Sequence, residues 1–169
     1  MPILSAENAF RKGLGAMAEQ HPEKASVYFR QALDLERERS KSRLDMRYLS
    51  YYGLSLAQAG LSKQIALQAC KTAVFKQTGD PLLFLNLGRV YLLIGKPARA
   101  MEAYERGLKI NPEHKALRME LAKIDRRSRP TVPFLDRSNP VNRWLGRRKT
   151  SRNGAAANLG YASLSDPPR

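Results

Sequence analysis

The sequence predicts an all-α chain built from stacked helix pairs. Three observations lead there. Apolar residues recur at helical spacing through the first 127 positions, with no alternating strand runs. Glycines stand inside otherwise helical stretches, at Gly13, Gly53 and Gly88. A mid-helix glycine costs about 1 kcal/mol relative to alanine, so each implies a neighbouring helix too close for a side chain. Gly13 and Gly88 are each also followed by a small-then-large pair on a second helix, Ala25 with Phe29 and Ala100 with Tyr104.

The pattern is sharpest in the third unit. Phe84-Leu85-Asn86-Leu87-Gly88-Arg89-Val90-Tyr91 is followed by Gly95, Ala100, Tyr104 and Asn111-Pro112. In the second unit Tyr52-Gly53, Leu56 and Gly60 match Leu87-Gly88, Tyr91 and Gly95. Its Ala66, Cys70 and Ala73 fall one residue later than Ala100, Tyr104 and Gly107. In the first unit Ala25, Phe29 and Ala32 match without a shift. The glycines are 40 and then 35 residues apart. The excess in the first gap falls to the run Glu36–Asp45, as a longer helix or a loop.

This pattern resembles the tetratricopeptide repeat (TPR), a helix pair of about 34 residues. The resemblance implies a short right-handed superhelix of three TPR helix pairs plus a C-terminal capping helix. Two units depart from the family: Ala9 and Leu49 stand where it favours a large aromatic, Lys12 replaces the usual leucine, and no proline closes the second unit. The expected helices span 5–20, 22–38, 43–60, 62–78, 80–95 and 97–110. Ser5 and Asp80 are candidate N-caps, and Pro22, Pro81 and Pro97 suit helix starts, where a missing N–H costs nothing. A seventh helix, 113–127, carries Leu117, Leu121 and Ile124 on one face and five basic residues on the other. That suits a cap on an open stack. The expected organisation is a repeat domain over 1–128, a basic, aromatic-containing extension over 129–149 and a disordered tail over 150–169.

The 169 residues carry a formal charge of +15. The lone Cys70 cannot form an internal disulfide and stands at a core position, which implies a buried, inert thiol and a reducing compartment. The first residues lack the apolar run of a signal peptide, and no apolar stretch reaches membrane-spanning length. The expectation is a cytoplasmic protein. No catalytic constellation stands out: His21 and His114 fall at inter-helix turns without zinc-ligand spacing, and Gly13-x-Gly15 lacks the strand and Gly-Lys-Ser/Thr of a phosphate loop. No enzyme, metal or cofactor is expected.

The resemblance implies that the first helix of each pair lines a peptide-binding groove. By register its candidates are Phe10, Leu14 and Met17; Arg47, Tyr51, Leu54 and Gln58; and Leu82, Leu85, Asn86, Arg89 and Leu93. Such a groove suits a partner helix or extended peptide. TPR domains that grip chaperone C-termini use a Lys/Asn/Arg clamp. Here Phe10, Leu14 and Tyr51 occupy matching positions, so no clamp is expected although Asn86 is in place. The size is similar to that of three-repeat type III secretion chaperones, but those tend to be acidic.

From Arg126 to Arg152 nine basic residues face one acid, Asp136, for a net +8. Arg126, Arg127, Arg129, Arg143, Trp144, Arg147, Arg148 and Lys149 are the anion- or RNA-binding candidates. Three readings of this segment stand open. It folds back on the repeats, it binds RNA through arginine and aromatic contacts, or it rests on an anionic membrane. The preferred function is a TPR adaptor or scaffold for protein–protein interaction. The alternative is an RNA- or ribosome-associated factor working through its basic tail.

Overall fold

The computed structural model describes residues 5–39 and 44–128, with side chains as far as Ile124. Seven helices and no strand occur among them: α1 (Ala6–Ala18), α2 (Pro22–Arg39), α3 (Met46–Gln58), α4 (Lys63–Lys76), α5 (Pro81–Leu93), α6 (Pro97–Ile110) and α7 (Lys115–Ser128). The chain divides into two units, Met1–Ile124 and Asp125–Arg169. The first holds the helix pairs α1/α2, α3/α4 and α5/α6, with α3 packed against both α2 and α5.

Local chemistry sets the helix ends. Oγ of Ser5 accepts from the Asn8 N–H, and Oδ1 of Asp80 from the Leu82 N–H at 2.8 Å. Asp45 and Ser62 cap α3 and α4 in the same way. Pro22, Pro81 and Pro97 are each the first residue of their helix. The extra length of the first repeat goes at least partly into α2, which runs 18 residues against 14 in α4 and α6.

Each first helix ends in the same turn. Gln20, Gly60 and Gly95 all take positive φ, at 62°, 68° and 78°. In each case the next N–H donates back to the carbonyl five residues earlier: His21 to Ala16, Leu61 to Leu56, Lys96 to Tyr91. This is the Schellman closure, which satisfies carbonyls orphaned at the helix end. Each turn residue lies seven positions after the buried glycine of its helix. The common register of all three repeats follows from this, including the first, where glutamine hides the turn.

The glycines explain the pairing. A Cβ on Gly13 would strike the Phe29 ring, and one on Gly88 the Tyr104 ring. In the second pair the opposing residue is the smaller Cys70, and the backbone of α4 itself comes within reach of the glycine. A Cβ on Gly53 would there lie 2.7 Å from the Ala66 carbonyl and 2.8 Å from Cys70 Sγ. One device recurs three times, with helix separation set by the side chain opposite the glycine. At the far end Leu117 of α7 is fully buried against Gly107, and Leu117 and Ile124 join Leu85 and Tyr104 in one core cluster.

Candidate functional site

Helices α1, α3 and α5 present the candidate groove residues, and the structure separates them into two groups. Phe10, Leu54, Leu85 and Asn86 are buried. Leu14, Met17, Tyr51, Leu82 and Arg89 are half-buried, while Arg47, Gln58 and Leu93 are exposed. The second group is open to solvent and the first is not.

The buried four act in packing. Phe10 supplies the aromatic that Ala9 lacks, one residue along. Its ring lies 4.8 Å from that of Tyr48, 5.3 Å from Tyr51 and 5.5 Å from Phe29. A four-ring cluster thereby joins α1, α2 and α3. Asn86 Nδ2 donates to Ser50 Oγ at 3.1 Å, tying α5 to α3, and its Oδ1 finds no partner among the described residues. The carbonyl of the same Ser50 accepts from Cys70 Sγ at 3.3 Å. A short buried polar chain thus links α4, α3 and α5 at the middle of the stack.

The accessible cations on this face are neutralised locally. Arg47 makes a two-pronged ion pair with Asp45, at 2.7 Å and 3.0 Å, and its guanidinium lies 5.9 Å from the Phe10 ring centre. The Asp45 hydrogen bond raises the Arg47 pKa further. Arg89 pairs with Glu120 of α7 at 3.1 Å, and the Glu120 side chain is only 14% exposed. Tyr51 brings these groups together. Burial raises its phenol pKa, Arg89 and Arg47 oppose the rise, and Asp80 adds to it.

Glu120, Ser50, Asp45 and the Tyr48–Glu7 pair were not legible as site residues. Tyr48 Oη donates to Glu7 at 3.2 Å across 41 residues of sequence. That contact and the pairing of Arg89 with Glu120, 31 residues on, depend on which helices become neighbours. Arg126 and Arg127 fall on the last turn of α7, and their side chains lie outside those described. Arg129, Arg143, Trp144, Arg147, Arg148 and Lys149 lie outside the described residues altogether.

The other reactive groups have structural surroundings. Cys70 is fully buried, and burial pushes its thiol pKa up to about 12. His114 Nδ1 accepts from the Leu117 N–H at 3.3 Å and so caps α7. Among the described residues no cluster of three or more His, Cys, Asp or Glu side chains could hold a metal ion. No described helix is long and apolar enough to cross a membrane.

Residues 81–114 match the model of the tetratricopeptide repeat family. No curated protein matches the sequence. Solved structures do match the fold. The Sgt2 TPR domain from Aspergillus fumigatus aligns with a TM-score of 0.60 at 20% identity, covering 82% of this chain and 93% of that one. The second TPR domain of human RPAP3, solved in complex with the HSP70 peptide SGPTIEEVD, aligns at 0.55 and 18% identity, covering 71% and 94%. PcrH, solved in complex with the chaperone-binding region of PopB, aligns at 0.56 and 18%, covering 70% and 93%. The repeat matched at 81–114 and the three glycine-spaced helix pairs carry one conclusion: residues 81–114 form a tetratricopeptide repeat, within a fold similar to that of solved TPR domains.

Proposed function

We propose that the protein is an adaptor that holds a segment of another protein along the face built by α1, α3 and α5. The observation that carries this is the composition of that face. Leu14, Met17, Tyr51 and Leu82 are half-buried there, while Arg47 and Arg89 already have acidic partners. A partner side chain that covers the apolar groups gains about 25 cal/mol per Å² removed from water. No arginine then has to be stripped of its counter-charge. Structures of similar fold hold peptides: the human RPAP3 domain binds SGPTIEEVD, and PcrH a region of PopB.

The acid-terminated peptides in that group fit this face poorly. Asn86 is sealed in the core against Ser50, and Phe10, Leu14 and Tyr51 stand at the positions of clamp polar groups. The preferred ligand is an apolar helix or extended segment. The same reading assigns the protein no enzymatic role.

The test is affinity purification of the full chain from its native cell, with and without nuclease, beside two variants. Tyr51→Glu/Leu82→Glu places charge on the half-buried face and should abolish capture. Truncation after Arg129 should leave it intact, with weak dependence on salt. Capture that disappears with the tail, or with nuclease, would assign binding to the basic segment and overturn the groove reading.

A further inference from the structure

Helix α4 distributes its apolar residues differently from α2 and α6. Its inward face carries small side chains: Ala66, Ala69, Cys70, Ala73 and Val74. Leu67 packs against the core, but its other two large apolar residues are exposed, Ile65 at 55% and Phe75 at 86%. In α2 and α6 the aromatic is inside, as Phe29 and Tyr104, both fully buried. Leu61, in the turn before α4, is also exposed. Ile65 and Phe75 lie ten residues apart, about 15 Å along the helix and about 80° apart around it, with Gln68 and Thr72 between them.

The charges on α4 are as distinctive. Its sequence, KQIALQACKTAVFK, contains no acid. None of Lys63, Lys71 and Lys76 makes an ion pair among the described residues. The neighbouring second helices carry acids that pair with some of their cations: Arg30 and Arg37 share Asp34 in α2, and Arg99 pairs with Glu102 in α6. Lys24 and Arg39 of α2 and Arg106 and Lys109 of α6 make no ion pair among the described residues either, but those helices carry acids of their own, whereas α4 sets three cations and no acid beside exposed apolar anchors.

We propose that the outward face of α4 is a second docking surface, which takes an acidic amphipathic helix from a partner protein. The anchors Leu61, Ile65 and Phe75 would pack against apolar residues spaced over about three turns. The lysines would meet carboxylates flanking that stripe. Of the three anchors only Phe75 could stack on a nucleic-acid base; aliphatic Leu61 and Ile65 offer no stacking surface, which is why a protein helix fits better. This surface is independent of the α1/α3/α5 face, so either can fail without the other.

The test uses the full chain and a labelled synthetic helix of about 14 residues, with Leu and Phe on one face and Glu on its flanks. The control probe replaces each Glu by Lys. Oligo-uridine and phosphatidylserine vesicles form two further arms. Because the basic tail is the same in every variant, differences between variants report on α4. Ile65→Ser/Phe75→Ser should keep the parental melting temperature and weaken acidic-probe binding at least tenfold. Lys71→Glu/Lys76→Glu should reverse the preference, so that the basic probe binds more tightly. Cross-links from the acidic probe should fall on Lys63, Lys71 or Lys76. The proposal is overturned if acidic-probe binding is the same in the parent and both variants. It is equally overturned if oligo-uridine or vesicle binding falls in Ile65→Ser/Phe75→Ser while acidic-probe binding does not.

Discussion

One substitution at two glycines should move stability in opposite directions. Gly15 and Gly88 are both within helices, α1 and α5, and neither has a positive φ. Replacing glycine by alanine in a helix interior gains about 1 kcal/mol from backbone entropy. At Gly15 an added Cβ meets nothing within 4 Å, so Gly15→Ala should realise most of that gain. At Gly88 the same atom collides with the Tyr104 ring, reaching Cδ1 at 2.6 Å and Cζ at 2.7 Å. The Tyr104 ring is rigid, fully buried and packed with Leu85 and Leu117, so it has no free volume to enter. Overpacking of this kind costs about 1–3 kcal/mol, and the propensity gain offsets only part of it. Gly88→Ala should therefore destabilise by about 1–2 kcal/mol, and Gly88→Leu by several. For a chain of this length each kcal/mol moves the melting temperature by roughly 2–4 °C. Thermal and urea unfolding followed by far-ultraviolet circular dichroism measure both. A Gly88→Ala protein that melts at or above the parent would refute the close-approach account of the repeats.

Further outcomes follow from single contacts. Gln20 sits at φ 62°, where the equivalent residues are Gly60 and Gly95. Gln20→Gly should relieve left-handed strain and stabilise by up to about 1 kcal/mol in urea titration. Tyr48 has its phenol pKa raised to about 12, first by burial and then by its bond to Glu7. Below pH 10 its contribution is fully present. Above pH 10 the unfolded chain ionises first, and stability falls as pH rises toward 12. The loss, on the order of 1–2 kcal/mol, should shrink in Tyr48→Phe when urea midpoints at about pH 9 and about pH 11 are compared. Cys70 should resist a thiol-reactive dye in the native protein and react once denaturant is added, since burial holds it protonated. Glu120→Gln should cost under about 1 kcal/mol, because Arg89 is partly exposed and solvent screens the pair. A double-mutant cycle with Arg89→Gln measures that coupling.

Helix number, order and pairing could be read before any coordinates, because they rest on local signals. Proline at first positions, capping oxygens at Ser5 and Asp80, and glycine seven residues before a turn each act within one helix. The groove was legible only by register. Register put Phe10, Leu54, Leu85 and Asn86 beside Leu14 and Tyr51 on a single face, and the structure buries the first four. Phe10 moved into the core because Ala9 left an aromatic position empty and Phe29, Tyr48 and Tyr51 surround the space. No pattern along the chain marks such a substitution.

By itself the sequence determined the helical repeat, its three close-packed glycines and the chemistry of its helix ends, since each is a short-range consequence of residue type. Only the tertiary structure decided which groove residues remain accessible, and that Glu120 of α7 would neutralise Arg89. It also decided that α4 would turn Ile65 and Phe75 outward. These depend on how far apart neighbouring helices sit. That distance is set by the volume of the residue opposite each glycine, Phe29, Cys70 or Tyr104, and by what the next helix in the stack covers.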